Sequence, residues 1–134
     1  MNTRPAVRPA LSPTAHRALW VLQILLGLFI AIGSGVPKLY GDPFAIAIFD
    51  GIGVGQWLRY VVGVLEIAGG IGLLTRRFSG PAAAGLVLLM IGAALTQAFV
   101  LHGGLLVLTP VVLGVLFAVV AVGRRDTLRT FTGG

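Results

Sequence analysis

Glu66 is the residue of this chain whose position points most directly to chemistry, because it is the only acidic side chain inside an apolar segment. The segment covers residues 57–75, and a helix of that length is about 28 Å long, enough to bridge the hydrocarbon layer of a bilayer. Inserting a carboxylate at the middle of such a helix costs about 2.5–3.5 kcal/mol, so the residue marks a functional site by default. Glu66 therefore predicts a buried polar site completed by neighbouring helices.

Several residues can serve as partners of Glu66. Arg59 precedes it by seven residues, about 10.5 Å along a helix and on nearly the same face, so the two side chains can pair directly or through a water or polar ligand. Lys38 and Gln97 stand near the outer ends of neighbouring predicted helices. We expect a polar pocket that opens outward, formed by Glu66, Lys38, Arg59 and Gln97, with Tyr40 and His102 at its rim.

Three interpretations of Glu66 remain open from the sequence. The pocket is a site for a proton, a cation or a polar-headed lipophile such as a quinone. Alternatively, Glu66 forms a structural pair with Arg59 or Lys38 that fixes helix register, since membrane proteins use polar residues to hold helices together. In the third interpretation Glu66 is protonated and neutral, because burial disfavours the charged carboxylate.

The composition excludes several classes of function. Of 134 residues, 57% are hydrophobic and 10% are charged, far below the charged fraction of about a quarter in soluble domains, which indicates an integral membrane protein. The absence of cysteine excludes disulfides, thiolate nucleophiles and CxxC redox pairs. No Ser, His and acid grouping fits nucleophilic catalysis, and His102 has no second ligand at metal spacing. We therefore predict no catalytic residue, no metal and no cofactor, and no nucleic-acid partner despite the net charge of +6.

Four apolar segments of about twenty residues predict an all-α, polytopic membrane four-helix bundle. The spans are expected at residues 17–36, 57–75, 80–101 and 105–123, with Pro13 and Pro37 bracketing the first helix. The domain boundaries follow: a disordered cytoplasmic N-terminal tail at 1–16, the transmembrane domain at 17–125 and a cytoplasmic C-terminal tail at 126–134.

The distribution of basic residues predicts the orientation. Eight arginines fall on one side of the predicted spans, whereas Lys38 and Arg59 fall on the other, so both termini are expected in the cytoplasm, with the chain in the plasma membrane. In the first external loop, Asp42-Pro43 predicts the start of a short interfacial helix that ends at a glycine series, Gly51, Gly53 and Gly55.

Small residues at helical spacing predict the contact faces, because close approach of backbones replaces the hydrophobic effect in lipid. The same faces could also bury a second copy of the chain, so oligomerisation is left open. The predicted helix-packing residues are Gly27, Ala31, Gly35, Gly63, Gly70, Gly92 and Gly114.

The stretch from Gly63 to Leu74 around Glu66, followed by Thr75-Arg76-Arg77 and preceded by Lys38-Leu39, resembles the DoxX and DoxX-like family of small four-helix membrane proteins. The resemblance covers about residues 18–125 and implies the four-helix fold. The name-giving members belong to a thiosulfate to quinone oxidoreductase, others associate with membrane redox enzymes, and distant relatives act as assembly chaperones or cargo receptors.

Two functions are compatible with these observations. The first is a non-enzymatic accessory protein in the lipid bilayer, at most a non-catalytic subunit of a redox complex, whose pocket binds a quinone-like lipophile or a transmembrane segment of a client. The alternative is a small proton-coupled transporter that uses Glu66 as the proton carrier.

Overall fold

The computed structural model describes residues 11–127, and every regular element in this range is a helix. We number the helices α1 (Pro13–Tyr40), α2 (Pro43–Ile52), α3 (Trp57–Leu73), α4 (Ser79–Val100) and α5 (Gly104–Gly123). By length and composition, α1, α4 and α5 can each cross a membrane. The predicted all-α membrane class is thereby confirmed. Most of the two predicted tails, with Arg4, Arg8 and Arg129, lies outside the described residues.

Helix α1 is longer than the sequence predicted. It begins at Pro13, where the Ser12 hydroxyl accepts a hydrogen bond from the Ala15 N–H at 3.1 Å. The prediction that Pro37 ends this helix was wrong, because the helix continues to Tyr40. The preceding segment, Phe29–Gly35, is π-helical, and this wider turn relieves the clash that a proline ring makes with the carbonyl one α-turn earlier.

The short helix predicted after Asp42 is α2. The Asp42 carboxylate accepts hydrogen bonds from the Phe44 and Ala45 N–H groups at 3.1 and 3.2 Å, and Pro43 occupies the first turn. Gly53 ends the helix with a positive φ of 83°, which glycine adopts without a Cβ clash. Asp42 and Gly53 thus set the two limits of α2.

The helices form two pairs, α1 with α3 and α4 with α5. At the end that carries Arg76, Arg77, Arg124 and Arg125, here called the arginine end, the pairs meet around a core that includes Leu26, Leu73 and Phe117. Towards the opposite end, here called the Lys38 end, the pairs diverge: residues 29–40 of α1 do not come within 8 Å of α5, Cα to Cα. Helix α2 lies across this end and contacts α1, α3 and the last turns of α4.

Glycines allow α1 and α3 to pack backbone against backbone. A Cβ atom at Gly70 would lie 2.6 Å from the Gly27 carbonyl oxygen and 2.7 Å from the Ala31 Cβ atom, and a Cβ atom at Gly35 would lie 2.9 Å from the Gly63 carbonyl oxygen. Four glycines and one alanine of the predicted packing set therefore lie at this interface.

The other two glycines of the predicted packing set behave differently. A Cβ atom at Gly114 would lie 3.3 Å from the Met90 Cβ atom, so this position does pack α5 against α4. A Cβ atom at Gly92 would meet nothing within 4 Å. The prediction of Gly92 as a helix-packing residue was wrong, because Gly92 borders open space between the helix pairs.

We expect Gly70→Val to lower the free energy of unfolding by about 1–3 kcal/mol, because the Gly27 carbonyl is backbone and cannot turn away from the new side chain. Thermal unfolding in dodecyl maltoside, followed by circular dichroism, measures the loss. Gly92→Val is the matched control and should unfold near the wild-type temperature. Equal unfolding temperatures for the two variants would contradict the close α1–α3 contact.

Candidate functional site: an apolar cavity with a Lys–Glu pair

A cavity of about 530 Å³ occupies the space where the two helix pairs diverge. All five helices contribute to its wall, and most of the lining is aliphatic or aromatic, as with Ile30, Phe44, Phe49 and Leu113. The polar side chains among the lining residues are few: Ser34, Lys38, Asp42, Glu66, Thr96, Gln97 and Thr109. Such a site combines apolar contact area with a small number of fixed polar groups.

Glu66 lies in the cavity wall with only 2% of its surface exposed. Its Oε1 atom is 2.6 Å from the Lys38 Nζ atom, and its Oε2 atom accepts a hydrogen bond from the Ser34 hydroxyl at 2.5 Å. Lys38 Nζ also donates to the Ser34 hydroxyl oxygen at 2.8 Å. The three side chains therefore form a closed network whose formal charges cancel, an arrangement that lets a buried ion pair persist.

The π-helical segment of α1 places Ser34 against α3. Ser34 stands four residues before Lys38, so the two side chains emerge from one helix face. Ser34 was not among the predicted site residues, although its spacing of four from Lys38 was a usable signal. The second π-helical segment, Thr96–Val100 of α4, supplies Thr96 and Gln97 to the opposite wall. Both irregular segments thus border the cavity, as π-turns often do at functional sites.

Arg59 does not pair with Glu66 and does not line the cavity. It is buried, with 4% exposed, and its Nε atom donates to the Gln56 side-chain oxygen at 2.7 Å. Its Nη1 atom donates to the backbone carbonyl of Lys38, and its guanidinium lies 4.3 Å from the centre of the Tyr60 ring. Arg59, in α3, therefore holds the last turn of α1 in place by binding the backbone of Lys38.

The remaining predicted site residues divide between wall and surface. Gln97 lines the cavity, and its buried side-chain oxygen has no hydrogen-bond donor among the described residues. Tyr40 is 69% exposed and does not line the cavity. His102 is exposed in the turn between α4 and α5, where its φ of 48° is left-handed, and it also lies outside the lining. The structure thus brings together Glu66, Lys38 and Gln97 of the predicted set, and leaves out Arg59, Tyr40 and His102.

A second buried polar cluster fastens the arginine end. Gln23, fully buried, donates to the Leu73 carbonyl oxygen at 2.8 Å and accepts from Arg124 Nε at 2.7 Å. Arg124 Nη1 lies 3.0 Å from His16 Nδ1, which must accept because an arginine can only donate. Burial lowers the pKa of the Arg124 guanidinium, Asp126 opposes that shift, and the charge of Arg76 adds to it. This cluster joins α1, α3 and α5 where the helix pairs converge.

Within residues 11–127, no group of three His, Cys, Asp or Glu side chains could hold a metal ion.

A family model described as the DoxX-like family matches residues 21–120. The chain belongs to the DoxX-like family. The matched region of this DoxX-like protein runs from α1 into α5 and contains Ser34, Lys38, Glu66 and Gln97, so it covers the polar groups of the cavity. Searches of curated proteins and of solved structures found no match.

Proposed function

We propose that this DoxX-like protein crosses the plasma membrane four times, with α3 as the second span and both termini in the cytoplasm. Helix α3 has 17 residues, about 26 Å, and packs against both α1 and α4, which are long enough to span. Five of the described arginines lie at or beside the arginine end: Arg17, Arg76, Arg77, Arg124 and Arg125. The other two described basic residues, Lys38 and Arg59, lie at the opposite end, so the positive-inside rule puts the arginine end in the cytoplasm. Helix α2 then lies at the outer interface.

We further propose that the cavity binds a neutral lipophile whose polar head contacts the Lys38–Glu66 pair. The observation that carries this proposal is the pair itself, with Glu66 buried and Lys38 19% exposed, in the wall of a largely apolar cavity of about 530 Å³, within the range of about 300–1,000 Å³ that small-molecule sites occupy. Because the charges of the pair already cancel, a charged ligand would add an unbalanced charge in an apolar setting, so a neutral head is preferred.

The polar groups suggest how such a head is held. Lys38 Nζ makes only a long contact of 3.5 Å with the Ser34 backbone carbonyl oxygen, so its third N–H can donate instead to a carbonyl oxygen of the ligand. The Gln97 side-chain oxygen has no protein donor in the described range, and it can accept from a hydroxyl of the ligand once the side chain rotates away from Gly103. A quinone-type ring with an isoprenoid tail matches this combination of carbonyl or hydroxyl groups and apolar length. The protein would act as an accessory subunit that presents the lipophile to a redox partner.

The size of the cavity favours a small molecule over a client segment as occupant. A transmembrane helix is about 10 Å wide and about 30 Å long, several times the volume of the cavity. A client helix would therefore have to bind on the outer surface of the bundle, and an assembly role would not use the Lys38–Glu66 pair.

We expect Gly92→Leu to weaken binding of decylubiquinone at least tenfold, because the new side chain enters the cavity without a clash elsewhere. Equilibrium binding in lipid nanodiscs, measured by isothermal titration calorimetry, gives the dissociation constants. Gly85→Leu, seven residues earlier on α4 and outside the cavity lining, is the matched control and should bind as wild type does. Unchanged binding by Gly92→Leu, or absence of binding by the wild-type protein, would count against the quinone-like ligand.

The alternative function, a proton-coupled transporter, is supported by the position of Glu66 in the cavity wall. A transporter predicts a different effect of Glu66→Gln, the loss of a proton-driven flux. If the wild-type protein in liposomes shows a proton-driven flux that Glu66→Gln abolishes while the variant stays folded, the transporter replaces the accessory protein as the better proposal.

A further inference from the structure

A second space, separate from the cavity, lies between α3 and α4 on the side of the bundle surface that these two helices form. It has a volume of about 630 Å³, and we call it the α3/α4 groove. Its lining is apolar apart from Thr75 and glycine backbone, and it consists of Leu65, Ala68, Gly69, Ile71, Gly72, Thr75, Phe78, Pro81, Ala82, Gly85, Leu86 and Leu89. Leu65, Ile71 and Phe78 are each about half exposed, so the groove is open on the side that faces away from the bundle.

The groove ends at a positively charged loop. Thr75 and Phe78 line it, and the two residues between them, Arg76 and Arg77, are both exposed. The Arg77 guanidinium lies 5.5 Å from the centre of the Phe78 ring, which places a positive charge beside the mouth of the groove. From the end of α3 at Leu73 back to Leu65 the groove follows eight residues, about 12 Å of helix, away from this charge.

The arginine end holds more positive than negative charge. Of the four acidic residues in the described range, only Asp126 lies at this end, beside four arginines at positions 76, 77, 124 and 125. Arg76 is close enough to the buried Arg124 for their charges to repel. An anion placed at the loop would reduce this repulsion.

We infer that the α3/α4 groove binds an acyl chain of an anionic phospholipid whose phosphate group lies at Arg76 and Arg77. The two parts of the site correspond to the two parts of the ligand: an open apolar channel along the helices and a basic mouth at the membrane surface. Basic pockets at the cytoplasmic ends of transmembrane helices bind anionic head groups in this way. This inference uses the membrane placement proposed above, and it is independent of the ligand in the cavity.

A second copy of the chain is a weaker candidate for the groove. In a symmetric dimer formed through α3 and α4, the two loops with Arg76 and Arg77 would approach one another, so like charges would face each other at the interface. A phospholipid instead supplies a negative charge at the same place.

Native mass spectrometry of the detergent-purified chain, with dipalmitoyl phosphatidylglycerol and dipalmitoyl phosphatidylcholine added in equal amounts, tests the inference. We expect the wild-type protein to retain more phosphatidylglycerol than phosphatidylcholine. In Arg76→Gln/Arg77→Gln the ratio of the two retained lipids should fall about tenfold. Arg17→Gln/Arg125→Gln removes the same number of charges from the same end, at positions outside the loop between Thr75 and Phe78, and should keep the preference.

The apolar half of the site is tested with Gly85→Leu. A Cβ atom at Gly85 meets nothing within 4 Å, so the leucine can fill the groove without disturbing the helices, and lipid retention should fall while Gly92→Leu retains lipid. Excess inorganic phosphate should not displace the lipid, because the acyl chain contributes to binding. Equal retention of the two lipids, unchanged retention by Gly85→Leu, displacement by phosphate alone, or a lipid-free dimer that Gly85→Leu dissociates would each overturn the inference.

Discussion

Lys38→Met is expected to lower the free energy of unfolding by about 3–5 kcal/mol, because it leaves the Glu66 carboxylate buried without its cation. Methionine keeps the length and apolar stem of lysine, so the loss reports the missing charge and not a new cavity. Reversible unfolding by sodium dodecyl sulfate in mixed micelles, followed by circular dichroism, measures the change.

Two further variants separate the ion pair from the packing around it. Lys38→Met/Glu66→Leu removes both charges and should recover most of the lost stability, since a buried ion pair is often replaced by apolar side chains at little cost. Glu66→Gln keeps a group that can still bond Ser34 and should lose less than Lys38→Met. A double variant as unstable as Lys38→Met would show that Glu66 is not a charged partner of Lys38.

Gln23→Leu is expected to cost about 3 kcal/mol, because one substitution leaves two buried groups without partners, the Leu73 carbonyl oxygen and the Arg124 Nε–H. The same unfolding measurement applies. Arg125→Leu, which removes an exposed arginine from the adjacent position, is the matched control and should change stability by less than about 1 kcal/mol.

A double-mutant cycle with Arg124→Leu gives the coupling directly. If Gln23 and Arg124 interact as the 2.7 Å contact indicates, the double variant will lose a different free energy of unfolding from the sum of the losses in the two single variants. Strictly additive losses would mean that the contact contributes nothing to the stability of the fold.

The two ends of the bundle differ in how closely the helices pack. At the arginine end, the contact of Arg124 with Gln23 and that of Gly80 N–H with the Thr127 hydroxyl at 2.9 Å bind residues 124–127, which follow α5, to α1 and α4. At the Lys38 end the helix pairs are apart, and one ion pair, two π-helical segments and α2 surround the cavity. The helix pairs therefore pack closely at one end and leave an open space at the other.

The sequence alone determined the features that depend on local periodicity. It predicted the depth of Glu66 in its helix and its position on one face with Arg59, Gly63 and Gly70, and all four residues are buried in the structure. It predicted the start of α2, because the Asp42 cap and Pro43 act within one helical turn. It also carried the resemblance to the DoxX-like family, which the family model over residues 21–120 confirmed.

Only the tertiary structure decided which polar groups meet. Lys38 and not Arg59 pairs with Glu66, because the extension of α1 through Pro37 and the π-turn before it carry Ser34 and Lys38 across to α3. Gln23 and Arg124 are 101 positions apart, so no local pattern could join them. Gly92 borders a cavity because the helix pairs diverge there. A helical period fixes the face on which a side chain lies, whereas its partner depends on how whole helices are rotated and splayed, and that is settled by packing along their entire length.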